Sequence, residues 1–206
     1  MAYKDKKGHF TTAKNDGGEC VHGKLKTFRQ NTSYEDLIQD AIAIKNSNKK
    51  QEEIAKDKQR VAMFIGKKRR GERTNRKLIV TSVNERARKE IEKLIGTPIN
   101  ALYHSLDIDE IRHIESRHGI NGKNDHSMST VEEYETIVDV LHDFDSIDFV
   151  RDKKGNIKVA SYPDKNNNPS KLIQYRKNND DGTFYVVEAI TDGKSGDIKI
   201  ISAYKE

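Results

Sequence analysis

The chain has 206 residues and a mass of 23.6 kDa, a length typical of one domain or of one domain with an appendage. Apolar residues make up 33% and charged residues 34%, so the hydrophobic core must be modest. No apolar run is long enough to span a membrane, the N-terminus lacks the apolar segment of a secretory signal, and the single cysteine, Cys20, excludes an internal disulfide. These features predict a cytoplasmic protein that has no membrane partner.

The net charge of +5 conceals two regions of opposite sign. Residues 1–77 contain 20 Lys and Arg against 10 Asp and Glu, a net charge of +10, whereas residues 78–206 contain 18 against 23, a net charge of −5. This change of sign predicts a boundary between a basic, partly extended and helical N-terminal arm, 1–77, and an α+β domain, 78–206.

The basic arm contains two predicted helices and one cluster of cations. Residues 1–32 are polar and predict extended or poorly ordered chain. Apolar residues recur at helical spacing from Ser33, a candidate N-cap, to about residue 45, and again over about residues 50–65. Residues 67–77 hold seven basic side chains, which either form a solvated linker or bind phosphate groups.

The first part of the acidic region predicts strands and helices in alternation. Residues 78–83 predict a strand, and residues 84–96 predict a helix that begins at an N-cap, Asn84, and stops at a glycine, Gly96. A second short strand is predicted over residues 101–106.

Two further helices follow in the sequence. The first begins at Asp107, with Glu110 completing a capping box, and ends at Gly119. The second begins at Thr130, with Glu133 in the same reciprocal position. Each helix has apolar residues at helical spacing, so one face of each is expected to pack on a core.

Alternating polar and apolar residues beyond Phe144 predict two hairpins and a final strand. In that strand the alternation places Ile198, Ile200, Ser202 and Tyr204 on one face. Helices followed by antiparallel strands are typical of the α+β class, here with a sheet of about four strands.

The candidate chemistry is concentrated in a run of histidines, because five of the seven lie within residues 104–142. His113 and Arg117 share a helix face, but His113 and His118 are about 140° apart around the helix. That spacing does not fit a helical zinc pair, so neither a metal site nor a cofactor is predicted. If the turn at Gly119 brings His118 back, two histidines and an arginine surround one phosphate; otherwise the histidine only complements the helix dipole.

The arrangement of a helix with the pattern H-x-x-x-R-H-G, a second helix, and an antiparallel sheet ending in S-x-Y resembles a known superfamily. It is the set of metal-independent ribonucleases that includes barnase, EndoU, the colicin tRNases and RelE. The resemblance covers about residues 100–206 and is greatest to the branch associated with phages and mobile elements. The residues that carry it are Ile111, His113, Arg117, His118 and Gly119, with the strand segments 172–178, 183–190 and 200–205.

The resemblance implies an endoribonuclease of the toxin or effector type, in which the RNA 2′-hydroxyl attacks the adjacent phosphate without a metal ion. It implies that His113 and His118 supply the acid and the base, that Arg117 stabilises the phosphate, and that Ser202 and Tyr204 contact it. The further candidates for substrate binding are Lys171, Arg176 and Arg112. The implied partners are RNA, with transfer RNA among the candidates, and a cognate immunity or antitoxin protein. The implied place of action is the cytoplasm of the bacterial host, or of a target cell into which the protein is delivered.

Two non-catalytic alternatives stay open, one from the charge pattern and one from the resemblance. In one, the basic arm binds nucleic acid or an acidic protein and the second region is a scaffold. In the other, the chain is an inhibitor of phage or mobile-element origin that keeps a nuclease-like fold without its activity. Convergence of the two histidines with Ser202 and Tyr204 on one open cleft favours catalysis over both.

Overall fold

A computed structural model describes residues 3–4, 10–11, 34–164, 166–191 and 196–206. Within these ranges the α-helices are α1 (Tyr34–Arg69), α2 (Glu85–Ile95), α3 (Ile108–His118) and α4 (Val131–His142). The strands are β1 (Tyr3–Lys4), β2 (Phe10–Thr11), β3 (Lys77–Ser82), β4 (Tyr103–Asp107), β5 (Ser146–Phe149), β6 (Val159–Pro163), β7 (Pro169–Asn179), β8 (Gly182–Ala189) and β9 (Asp197–Lys205). The predicted α+β class is confirmed.

The contacts divide the chain into two compact units, Met1–Lys50 and Gln51–Glu206. In the first unit, β1 and β2 pair in antiparallel fashion, with Tyr3 opposite Thr11. Most of the chain predicted to be extended or poorly ordered, and the candidate N-cap Ser33, lie outside the described residues. The second unit contains the C-terminal part of α1 and every later element, including the candidate site.

A single helix, α1, replaces the two helices that the sequence predicts over residues 33–45 and 50–65. The intervening Asn-Ser-Asn segment, 46–48, has low helix propensity but contains neither glycine nor proline, so backbone hydrogen bonding continues through it. The C-terminal part of α1 packs on the sheet, where Val61 is 1% and Ile65 is 0% exposed. Within the described part of the chain, no helix is both long and apolar enough to cross a bilayer.

A sheet of seven strands forms the centre of the second unit, rather than the sheet of about four strands that the sequence predicts. Its order is β3-β4-β9-β8-β7-β5, and β6 pairs with β7 off this path. The β4–β9 pair is parallel, from Tyr103 opposite Asp197 to Leu106 opposite Ile200, and the others are antiparallel. Alternation assigns side chains to faces but does not choose partner strands, so the parallel pair could not be predicted.

The predicted starts of α2 and α4 are confirmed by their capping contacts. The Asn84 side chain accepts a hydrogen bond from the Ala87 N–H, and Gly96 ends α2 in the left-handed region, with φ of 76°. Thr130 and Glu133 form the reciprocal capping box of α4. Local residue chemistry therefore decides where both helices begin.

The start of α3 differs from the prediction, because tertiary contacts replace the local capping box. Asp107 is the N-cap residue but makes no side-chain capping hydrogen bond. Its carboxylate instead lies 2.6 Å from the Lys199 ammonium of β9. Glu110 is only 8% exposed and accepts a hydrogen bond from the Tyr162 hydroxyl of β6. These contacts fix the first turn of α3 to the sheet.

The sheet has a main core on one face and a smaller apolar cluster on the other. The main core includes buried side chains from all four helices and from β3, β4, β7, β8 and β9. The smaller cluster consists of Leu172, Val187 and Ala189, with partly buried residues such as Ala160 and Tyr162 packed on it. Because strand residues alternate between faces, β7 and β8 contribute to both.

A bulge in β9 changes the faces on which its side chains lie. The pairing with β8 skips Ile201, so the alternation reverses at that residue. Ile198 and Ile200 are buried in the main core, as expected, but Ala203 joins them. Tyr204 and Ile201 pack on the smaller cluster instead. The prediction that Ile198 and Ile200 share a face with Ser202 and Tyr204 is therefore wrong, although Ser202 and Tyr204 still lie on the same face.

We expect Ile114→Ala to lower the free energy of unfolding by about 2–5 kcal/mol, because the truncation leaves a cavity where α3 packs on the main core. Urea denaturation followed by circular dichroism measures this change. Ile120→Ala is a matched control, because Ile120 is 72% exposed and its truncation should change stability by less than about 0.5 kcal/mol. Equal effects of the two substitutions would contradict the packing of α3.

Candidate functional site

The candidate site depends on α3, which follows β4 directly and packs against β9. Ile111 and Ile114 are fully buried and turn the apolar side of α3 toward the main core. This rotation leaves His113 and Arg117 exposed on one flank, while His118, at the end of the helix, is 7% exposed. The packing of two isoleucines thus decides where the three candidate side chains lie.

An open cleft of about 460 Å³ lies between the C-terminal half of α3, the loop after it, and the sheet face with the smaller apolar cluster. Five residues singled out from the sequence line it: His113, Arg117, His118, Ser202 and Tyr204. Asp125, Lys158 and Glu206 also line this cleft. The structure therefore brings two imidazoles, a guanidinium, an ammonium and two hydroxyl groups to one cavity.

His118 is held by a carboxylate that the loop returns to it. Its Nδ1 lies 2.7 Å from Oδ2 of Asp125. The other carboxylate oxygen accepts hydrogen bonds from the Ser127 N–H, at 2.9 Å, and from the Ser127 hydroxyl, at 2.6 Å. An ionised carboxylate only accepts hydrogen bonds, so Nδ1 carries the proton. The imidazole atom with which a substrate can exchange a proton is then Nε2.

The charge of Asp125 follows from two opposing effects. Burial raises the pKa of its carboxyl group, but hydrogen bonds from Ser127 and from the His118 ring outweigh burial. The pKa of Asp125 therefore lies below its ordinary value, and the group is a carboxylate at neutral pH.

Three rings stacked in a row fix the orientation of the His118 imidazole. The ring of His118 lies 5.1 Å from that of Tyr204 at an interplanar angle of 16°, and Tyr204 stacks on Tyr185 at 5.1 Å and 25°. Gln174 Nε2 lies 3.3 Å from the Tyr204 hydroxyl oxygen and donates to it. Burial, and then the charge of Glu206, raise the pKa of Tyr204, so its hydroxyl keeps its proton and can donate.

Two glycines allow the tight turn by which the loop returns to His118. A Cβ at Gly119 would lie 2.6 Å from the Glu115 carbonyl oxygen, and one at Gly122 would lie 2.5 Å from the Arg117 carbonyl oxygen. Neither contact is sterically possible without a backbone shift. The structure differs from the expectation that the turn at Gly119 redirects His118. His118 lies in the last turn of α3, and the loop brings Asp125 to it.

The other three candidate substrate-binding residues lie outside the cleft lining. Arg112 is exposed on α3. Arg176 is exposed on β7 opposite Tyr185, so it shares the sheet face of the cleft but lies farther along it. The Lys171 ammonium lies 5.6 Å from the centre of the Phe149 ring, and alternation along β7 places Lys171 on the face away from the cleft.

The sequence prediction missed Asp125 because residues 120–129 have the composition of a polar loop. A local signal was present, since an aspartate followed two residues later by a serine is typical of an Asx turn. That signal predicts the contact with Ser127 but not the contact with His118, which depends on the path of the loop. Lys158 was also missed, because its position beside the cleft depends on strand pairing.

No model of a protein family matches the chain, and neither a curated protein nor a solved structure is similar to it. Across the described ranges, no three histidine, cysteine, aspartate or glutamate side chains are grouped to hold a metal ion. The chemistry that the cleft offers is that of its own imidazole, guanidinium, ammonium, carboxylate and hydroxyl groups.

We expect Asp125→Asn to destabilise the protein more at pH 7 than at pH 3. Because the folded-state pKa of Asp125 is depressed, its carboxylate contributes stability that is complete above the ordinary pKa of about 3.9. That contribution is lost as the pH falls through the folded-state value. Urea denaturation of the variant and the wild type at both pH values measures the difference.

The control for this experiment is Asp180→Asn, which changes an exposed carboxylate in the turn between β7 and β8. It should leave stability nearly unchanged at both pH values. If Asp125→Asn had the same effect at pH 3 as at pH 7, the carboxylate would not be stabilised in its charged form by Ser127 and His118.

Proposed function

We propose that the protein is a metal-independent endoribonuclease of the toxin or effector type. The observation that carries the proposal is the convergence of His113, Arg117 and His118 with Ser202 and Tyr204 on one open cleft. These are the residues for which the resemblance to the barnase, EndoU, colicin and RelE superfamily implies a role. Two imidazoles near neutral pH are the side chains best suited to give and take one proton each.

The proposed reaction is an internal transesterification of RNA. One imidazole removes the proton of the 2′-hydroxyl, and the 2′-oxygen forms a bond to the adjacent phosphorus. The bond from phosphorus to the 5′-oxygen breaks, and the second imidazole gives that oxygen a proton. The products are a 2′,3′-cyclic phosphate and a 5′-hydroxyl, so one proton is taken up and one is released in each turnover.

His118 and His113 contribute to this reaction from different environments. His118 is pre-oriented by Asp125 and by the Tyr204 ring, so its Nε2 is the proton-exchanging atom. His113 is exposed one turn earlier on α3 and reaches the cleft from its open side. The geometry is compatible with either histidine as the base, and the other is then the acid.

The remaining polar groups of the cleft stabilise the charge that develops on the phosphate. Arg117 supplies a guanidinium, which binds phosphate oxygens in a fork. Lys158 supplies a second positive charge from the opposite wall. The hydroxyl groups of Ser202 and Tyr204 supply donors, and the raised pKa of Tyr204 keeps its hydroxyl protonated for that purpose.

The proposal includes the partners and the place of action. RNA, with transfer RNA as one candidate, is the proposed substrate, and the bacterial cytoplasm is the proposed place where it is cut. A ribonuclease made inside a cell would also cut the RNA of that cell. We therefore include a cognate immunity or antitoxin protein that covers the cleft until the enzyme is released.

We expect His113→Ala and His118→Ala each to slow RNA cleavage at least about 100-fold, because a general acid or base contributes about 10²- to 10⁴-fold. Gel electrophoresis of transfer RNA and total RNA measures the cleavage, and circular dichroism verifies that each variant is folded. His126→Gln is the control, because His126 lies in the loop after α3 with its Nδ1 3.1 Å from the Gly119 carbonyl oxygen, and glutamine can keep that contact. Undiminished cleavage by the double alanine variant would exclude this site as the catalytic one.

We expect the cleavage products to carry 2′,3′-cyclic phosphate and 5′-hydroxyl ends, because the nucleophile is the 2′-oxygen of the substrate. The same RNA with 2′-O-methyl groups at every position should not be cut, and a chelator should leave the rate unchanged. Mass spectrometry of the fragment ends provides the measurement. Products with 5′-phosphate ends, or loss of activity in the chelator, would instead indicate a metal-dependent nuclease.

A further inference from the structure

The helix α3 separates the cleft from a second depression on its other flank. This depression has a volume of about 500 Å³, and its lining includes Lys68 and Arg69 of α1, Glu115 of α3 and Ser129 of the following loop. Glu115 and Arg117 are two residues apart, so their side chains leave the helix in directions about 160° apart. The depression and the cleft therefore lie back to back across α3.

Glu115, the acidic residue in the lining of this depression, is shared by two cations. Glu115 accepts a hydrogen bond from the Lys68 ammonium and lies 3.5 Å from Nε of Arg69. Asp109, on the exposed side of α3, lies 2.8 Å from Arg112 and 3.6 Å from Arg76. In the lining of the depression the single negative charge of Glu115 thus faces the two positive charges of Lys68 and Arg69, and the surplus is positive.

The environment of Lys68 shows the same excess of positive charge. Burial lowers the pKa of Lys68, and the charges of Arg112 and Arg69 lower it further, to about 8. An anion bound beside this ammonium would oppose these effects and favour its charged form. Arg69 is held in place by Met128, whose carbonyl oxygen lies 3.3 Å from its Nη2.

We propose that this depression, lined by Lys68 and Arg69 and flanked by Arg112, binds a backbone phosphate of the same RNA strand whose scissile phosphate occupies the cleft. The strand crosses the outer surface of α3, where Arg112 and Ser116 are exposed. A helix with its side chains is about 10–12 Å across, which a few nucleotides of extended strand can span. The identity of the strand as RNA rests on the proposed ribonuclease function, whereas the anion site rests on the charges described above.

The proposed site also favours one of the two interpretations of the basic segment 67–77, a phosphate-binding surface over a solvated linker. At least Lys68 and Arg69 are fixed against α3 rather than carried by a solvated linker. They place positive charge beside an otherwise acidic region, with its net charge of −5. The segment thus acts as a phosphate-binding edge of the cleft-bearing unit.

The test measures the affinity for a fluorescent 12-nucleotide RNA that carries 2′-O-methyl groups throughout and is not cleaved. We expect Lys68→Gln to weaken binding about fivefold at 0.1 M salt, and to flatten the salt dependence, because each phosphate contact to a single strand contributes a slope of about −0.7. We expect Glu115→Gln to strengthen binding about twofold or more, because it releases two cations from their carboxylate. Fluorescence anisotropy measures both changes.

The matched controls are Lys93→Gln and Glu90→Gln on α2, an exposed pair whose charged atoms lie 3.9 Å apart. Neither should change the affinity. A 2′-O-methyl dinucleotide, which is too short to occupy both sites, should bind the wild type much more weakly than the 12-nucleotide strand.

The phosphate site is supported if Lys68→Gln weakens and Glu115→Gln strengthens the binding of the 12-nucleotide strand. If both substitutions weaken binding, the ion pair only holds α1 to α3 and the proposal is overturned. It is also overturned if neither substitution has an effect, or if the dinucleotide binds the wild type as tightly as the 12-nucleotide strand. None of these binding outcomes depends on cleavage. If the protein does not cleave RNA but the two substitutions change binding in opposite directions, the ribonuclease function is refuted and the phosphate site is retained.

Discussion

The pairing of β4 with β9 ends at Leu106 and Ile200, and the candidate site exists because the chain enters α3 immediately after that point. The helix packs against β9, the strand with which β4 pairs. The contacts of Asp107 with Lys199 and of Glu110 with Tyr162 fix its first turn. Because no loop separates β4 from α3, the direction of α3 is set by the end of the strand. The regular geometry of the helix then places its last turn at the cleft.

The two histidines are held to different degrees, and the difference has a physical cause. His118 is nearly buried, so an unpaired ring nitrogen would be costly; the Asp125 carboxylate satisfies Nδ1 and the Tyr204 ring covers one face. His113 is exposed on the open side of the cleft. In the proposed reaction, a rigidly held His118 would reduce the entropy lost on reaching the transition state, and the exposed His113 would be free to follow the substrate.

The predictable parts of the structure are those decided by neighbouring residues. The starts of α2 and α4 depend on Asn84 and Thr130, whose side chains contact backbone groups within three residues. Alternation also predicted the β7–β8 hairpin, and apolar residues at helical spacing predicted the inward side of α3. The candidate cleft residues could be named because histidine and arginine in one short helix are rarely needed for packing alone.

The unpredicted parts depend on contacts between distant residues. The bulge at Ile201 moves Tyr204 to the cleft face, but no residue type in β9 predicts a bulge by itself. Asp125 meets His118 because two glycines permit a tight return of the loop, and Glu110 bonds to Tyr162 rather than to its own helix start. In each case a tertiary contact competes with a local preference and prevails.

The central position of β9 has a consequence for when the cleft can form. Among the described strands, β9 alone joins β3 and β4 to the group of β8, β7, β5 and β6. Before it inserts, α3 belongs to one half of the sheet and the opposite wall of the cleft to the other. Its pairing with β4 brings together residues as distant as Tyr103 and Asp197, a slow kind of contact to form. A growing chain in which β9 has not yet been synthesised therefore contains both histidines but no cleft. The cleft can form only after β9 has been made and has paired with its neighbours.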